Sequence, residues 1–181
     1  MSEDTNALSD ALKDQKIVSL KQKVNLKKFT LDPTLTEELK SYVIFGDAKR
    51  KAFEPKSADD LKQLISEMEK TQAYRDRVTF IMMQSKEISD ELDTLIKSGT
   101  AYLFAKYGQD IKSLSNQQSR DAAVRFVLDS IIRKRDRWRS VKEVAELAKT
   151  NLNETYFALR EIGENGRRIL DDRNVKRSFD A

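Results

Sequence analysis

Ile131 to Arg139 reads IIRKRDRWR: five basic residues, one acid and the chain's one tryptophan within nine positions. On a helix, Arg133 and Arg137 share a face, and so do Arg135 and Arg139. Trp138 stands two turns beyond Ile131 and continues its apolar stripe. One reading of the segment is contact with a polyanion. Arg133, Lys134, Arg137 and Arg139 would meet phosphates, for which the planar guanidinium fork is better suited than a point charge. Arg135 and Trp138 complete the candidate set, and an exposed Trp138 would stack on an unpaired base. Binding of that kind weakens steeply with salt, through counterion release. The other reading is structural. Trp138 caps the core, and the arginines are solvated or pair with Asp129, Asp136 and Glu143. Both readings stay open on the residues alone.

Weaker candidates lie elsewhere. Gly46 to Lys51, GDAKRK, is a short basic loop without the spacing of a phosphate loop. Lys21, Lys23, Lys27 and Lys28 either add positive charge or keep an exposed edge soluble. Asp90, Glu91 and Asp93 form an acid cluster with no base partner, expected as a solvated helix face. Tyr102, Phe104 and Tyr107 are expected to pack, not to form a stacking platform.

Composition narrows the chemistry further. The chain has 181 residues, no cysteine and no histidine. That removes thiolate chemistry, zinc sites of the usual ligand types and the Ser–His–Asp triad. No cofactor or metal is expected, and an enzyme is the least favoured class. Net charge is +4, from 34 basic and 30 acidic residues. Such a balance permits a polyanion partner without requiring one. From Gln109 onward there are sixteen basic and twelve acidic residues, so the surplus concentrates after the middle of the chain. No apolar run approaches the ~20 residues that span a bilayer, and MSEDTNALSD does not resemble a signal peptide. A soluble protein of the cytoplasm is expected, the host cytoplasm if the source is viral, with no membrane partner.

The elements that must position these residues read as helices. Only five glycines and two prolines occur, and none falls between Gly108 and Gly163. A sheet protein needs turns far more often. Val18, Leu20, Val24 and Leu26 alternate with polar residues, which suggests a short edge strand or an extended arm. LTEELKSYVIFG is expected as a helix stopped by Gly46. Ser57 and Asp60 resemble a capping box ahead of Leu61, Leu64, Ile65 and Met68. That helix runs on, or bends near Thr71, into one long helix over Tyr74–Tyr107 with room for a kink. Ser115, Asn116 and Ser119 are candidate caps for a helix with Val124, Val127, Leu128, Ile131 and Ile132 on its apolar face. Val144, Ala148, Leu152, Thr155, Leu159 and Ile162 form a further stripe, which GENG ends. The expected fold is all-α: a long-helix hairpin or small bundle with an extended N-terminal arm. Residues 1–56 would be the arm and a short helix, 57–173 the helical domain, and 174–181 a flexible tail. Helices this long bury a stripe, so self-association into a homo-oligomer is expected.

From Tyr74 to Arg173 the order and spacing resemble the UvsY family of recombination mediators from T-even phages. The likeness rests on a long helix closing on Tyr107–Gly108, a polar loop, a helix containing AVRFVLDS, and a last amphipathic helix closing on RRILDDR. No diagnostic motif is included. The resemblance implies small helical subunits in a closed ring that bind single-stranded DNA. It also implies help in loading a recombinase onto strands covered by a single-strand binding protein. The family's basic pair falls within the long helix, where TAYLFAKYG offers only Lys106. If the function is shared, the DNA contact would move to RKRDRWR. The leading expectation is therefore a non-enzymatic oligomer that binds single-stranded nucleic acid. The alternative is a helical interaction protein, a phage structural, scaffold or chaperone component, or an adaptor, with no nucleic-acid role.

Overall fold

A computed structural model describes residues 4–49, 57–114 and 116–179, and among these no strand occurs. Five helices follow in order: α1 (Asp4–Lys13), α2 (Gln15–Val24), α3 (Pro33–Lys49), α4 (Ala58–Ser113) and α5 (Gln117–Phe179). A single 3-10 turn, Lys27–Phe29, separates α2 from α3. The two long helices pack against each other, so the all-α hairpin stands. The chain divides into two units, residues 1–32 with 84–140 and residues 33–83 with 141–181. α4 and α5 each contribute to both units.

In unit 1, Gly99 of α4 faces Leu128 of α5, while Asp93 faces Arg139. The numbering runs in opposite senses, so the helices are antiparallel. The N-terminal segment folds onto them. Its expected alternation is not an extended arm, because Ile17, Leu20 and Val24 lie at helical steps of three and four and are all buried. Asp14 ends α1 and caps α2: its carboxylate accepts the backbone N–H groups of Lys16 (2.8 Å) and Ile17 (3.4 Å). Phe29, in the 3-10 turn, is 2% exposed. Asn116 caps α5 by accepting the Ser119 N–H at 2.8 Å. Of the other two candidates, Ser119 lies inside the helix and Ser115 lies outside the described residues.

In unit 2 the third layer is α3, opened by Pro33 at its first position, where a missing N–H costs nothing. Leu35 and Leu39 are buried. The capping box forms as expected: Ser57 N–H donates to Asp60 (2.9 Å), and Asp60 N–H to the Ser57 hydroxyl (3.2 Å). Ala148, Leu152, Thr155 and Leu159 are buried along α5 as the spacing predicts.

Two expected helix stops, at Gly46 and at GENG, are absent. α3 continues past Gly46 to Lys49, and α5 passes through Gly163 and Gly166 to Phe179. The expected tail is therefore helical as far as Phe179, and its last two residues lie outside the described ones. Gly46 and Gly163 mark close approach instead. A Cβ at Gly46 would lie 3.0 Å from Thr155 Oγ1 and 3.1 Å from Asn151 Cγ. Neither neighbour can yield. Asn151 Nδ2 donates to the Val43 carbonyl at 2.9 Å and to Asp47 at 3.1 Å. The Thr155 hydroxyl lies within hydrogen-bond distance of the Gly46 and Asn151 carbonyls, at 3.1 and 2.8 Å.

Gly46→Ala is expected to lose about 1–3 kcal/mol by overpacking. Gly108→Ala, where a Cβ meets nothing within 4 Å, should gain up to about 1 kcal/mol from helix propensity. Denaturant unfolding of the two variants checks this, and the opposite order would contradict it.

Candidate nucleic-acid interface

A helix turns 100° per residue, so Arg133 to Arg139 cannot all face one way. α5 divides them among three directions. Lys134 and Trp138, one turn apart, face the N-terminal segment. Lys134 Nζ donates to the Val24 carbonyl at 2.7 Å and to the Asn25 side chain at 3.3 Å, closing the C-terminal end of α2. Trp138 is 4% exposed, and its indole N–H donates to the Phe29 carbonyl at 3.2 Å. The stacking role expected of Trp138 is thereby overturned. The indole is core, and its one polar group is already satisfied.

Arg135 and Arg139 turn toward α4 and share Asp93, at 3.3 and 2.6 Å. Arg135 also reaches Asp136 at 2.7 Å. Burial works against the Arg135 guanidinium, but Asp136 and Asp93 outweigh it and hold its pKa above the ordinary value. Arg133 and Arg137 take the third direction, outward. Arg133 pairs with Asp129 at 2.8 Å and stays largely exposed. Arg137 is exposed, with no partner among the described residues. So Arg133 and Arg137 alone of the six keep a face toward solvent free of the neighbouring helices. The acid cluster that looked merely solvated is the counterpart of the segment, through Asp93.

Lys106, the cation that the UvsY resemblance brings forward, is also occupied. Its Nζ lies 2.5 Å from Asp14. The hydroxyls of Tyr102 and Tyr107 donate to the same carboxylate at 3.0 and 3.1 Å. Tyr107 is the one residue of α4 with non-helical backbone angles, φ −113° and ψ 20°. That local break accompanies the turn of its hydroxyl to Asp14. The Lys106 contact holds the Asp14 carboxyl far below the usual range, against the opposing effect of burial. In return, Asp14 and Tyr102 push the Lys106 ammonium above its own. Sequence reading missed this cluster. Asp14 before QKIV was a legible cap, but nothing local ties it to residues some ninety positions away.

The remaining positive surface has a clear location. Unit 1 contains seventeen basic and thirteen acidic residues and unit 2 seventeen of each, so unit 1 carries the entire +4. Lys23 and Lys27, on the outer side of α2 and in the 3-10 turn, are exposed, with no partner among the described residues. The face of α5 bearing Arg133 and Arg137 adjoins the one whose Lys134 grips α2.

Comparisons with protein-family models, curated proteins and solved structures return no match. No helix among the described residues is long and apolar enough to cross a membrane.

Asp14→Asn is expected to lower stability by about 2 kcal/mol at neutral pH, the worth of a charged cap with further charge-assisted bonds. The depressed carboxyl contributes fully above the unfolded value of about 4, and its contribution is lost as pH falls below that. The raised ammonium contributes fully below about 10.4 and is lost as pH rises beyond it. Thermal unfolding against pH should therefore show a smaller acid-side fall in the variant. Equal curves for variant and wild type would contradict the assignment.

Proposed function

We propose that the protein is a non-enzymatic accessory protein that binds single-stranded nucleic acid as an oligomer, through phosphate contacts alone. The observation that carries the reading is the confinement of the whole charge surplus to unit 1. There Lys23, Lys27, Arg133 and Arg137 keep their cationic heads toward solvent. Contacts of this kind read backbone and not sequence. With four per subunit, affinity is modest, and repetition in an oligomer multiplies it. The likeness in order and spacing to the UvsY family supports the further step that the protein helps load a recombinase onto strands covered by a single-strand binding protein.

A second reading, a helical interaction, scaffold or adaptor protein of a phage with no nucleic-acid role, has its own support. Phe80, Met83, Leu147 and Phe157 of unit 2 are each more than half exposed, as unpartnered apolar side chains at an interface would be.

Binding of a labelled single strand at several salt concentrations tests the choice. About four phosphate contacts per subunit predict a slope of log K on log salt near −3. Lys27→Ala with Arg137→Ala should halve it, while Trp138→Phe should leave it unchanged. Absence of salt-sensitive binding rejects the first reading and leaves the second.

A further inference from the structure

Among the described residues, a third helix covers the hairpin of unit 2 on one side. α3 covers the hairpin where Tyr42 and Phe45 meet the Tyr74 ring at 4.7 and 4.9 Å between centroids. The opposite side carries a groove floored by Ile65, Met68 and Tyr156. Along α4 the stripe Ile65, Glu69, Gln72, Asp76, Phe80 and Met83 recurs at steps of three and four, so it forms one face. Ile65, Phe80 and Met83 on it are 44%, 57% and 64% exposed.

The walls of the groove differ in sign. Among the described residues that line it, α4 brings Glu69 and Asp76 and no base, while α5 brings Arg160 and Arg167 with Glu164. Glu164 pairs with Arg160 at 3.0 Å. Arg167 and Glu69 are exposed, with no partner among the described residues. Such a groove is complementary to itself. A twofold axis running along the helices lays α4 of one copy over α5 of the other, acid wall against basic wall. An axis across the helices would lay α4 on α4 and acid on acid, which is penalised. We propose that this groove docks a second copy of the chain about a twofold axis parallel to α4 and α5, forming a four-helix interface.

Register supports the pairing. Leu64 lies opposite Gly163, and Arg75 Nε bonds Asn153 at 2.7 Å. Glu69 is thus within a turn of the level of Arg160, and the chosen axis keeps that level between copies. The stripe spans about 27 Å at 1.5 Å per residue. Two helix widths of ~10 Å each give roughly 500 Å² per copy, below a standard interface and in the range of weak, transient association. The proposal supplies an interface for the oligomer proposed above and rests on that part of the reading, but it needs no nucleic acid.

The test is sedimentation equilibrium of the full chain, without nucleic acid, from about 1 to 200 μM. The wild type should form dimers in the micromolar range. Glu69→Arg and Arg160→Glu should each weaken dimerisation about tenfold or more, since each sets like charges face to face. An equimolar mixture of the two variants should recover wild-type affinity, because every cross-copy pair is then opposite in sign. Both positions are exposed, and unchanged circular dichroism will confirm folding. A chain that stays monomeric at 200 μM, or variants whose mixture gains nothing, would overturn the proposal, whatever the strand-binding assay shows.

Discussion

Two antiparallel helices can bury only the stripe where they meet, and that constraint organises the rest of this molecule. Each unit satisfies it by laying an N-terminal element across its stretch of the hairpin. In unit 1 the layer is α1, α2 and the 3-10 turn, fixed by Ile17, Leu20, Val24 and Phe29. In unit 2 it is α3, brought close enough by Gly46 for Asn151 and Thr155 to grip its backbone. The docked layers bring carbonyl ends and a buried carboxylate with them. Polar groups on α4 and α5 must answer these, because an unsatisfied buried group costs about 1–3 kcal/mol.

That demand decides what is left for binding. Lys134 and Trp138 answer the carbonyls of Val24 and Phe29, Lys106 answers Asp14, and Arg135 and Arg139 are taken up separately by Asp93 of α4, across the hairpin. A segment dense in cations thus yields a sparse outer face. Charge density along the chain overstated the exposed positive surface, to which Lys23 of α2 and Lys27 of the 3-10 turn contribute alongside Arg133 and Arg137 of α5. Base stacking has no residue to perform it in this segment.

The sequence made the helices legible because three- and four-residue spacing recurs over long tracts, as in Ala148, Leu152, Thr155 and Leu159. It made the Ser57–Asp60 box legible because both partners are local. Gly46 and Gly163 misled because glycine permits two things, a stop and a close approach. Only the partner helix, far away in the chain, distinguishes them. The stretch after Asp14 misled because Val18, Leu20, Val24 and Leu26 alternate by chance, while Ile17, Leu20 and Val24 carry the helical face. The role of Trp138 was undecidable locally: a tryptophan flanked by arginines looks the same whether or not a helix from elsewhere covers it.

The conspicuous segment 131–139 serves the fold first, with its indole buried and bonded to the Phe29 carbonyl. As the sole tryptophan, Trp138 reports on this directly through its fluorescence in the intact chain. A buried indole gives blue-shifted emission, weak quenching by acrylamide, and no change when saturating single-stranded oligonucleotide is added. Red-shifted emission that acrylamide quenches freely, or a strong quench by the oligonucleotide, would contradict that burial.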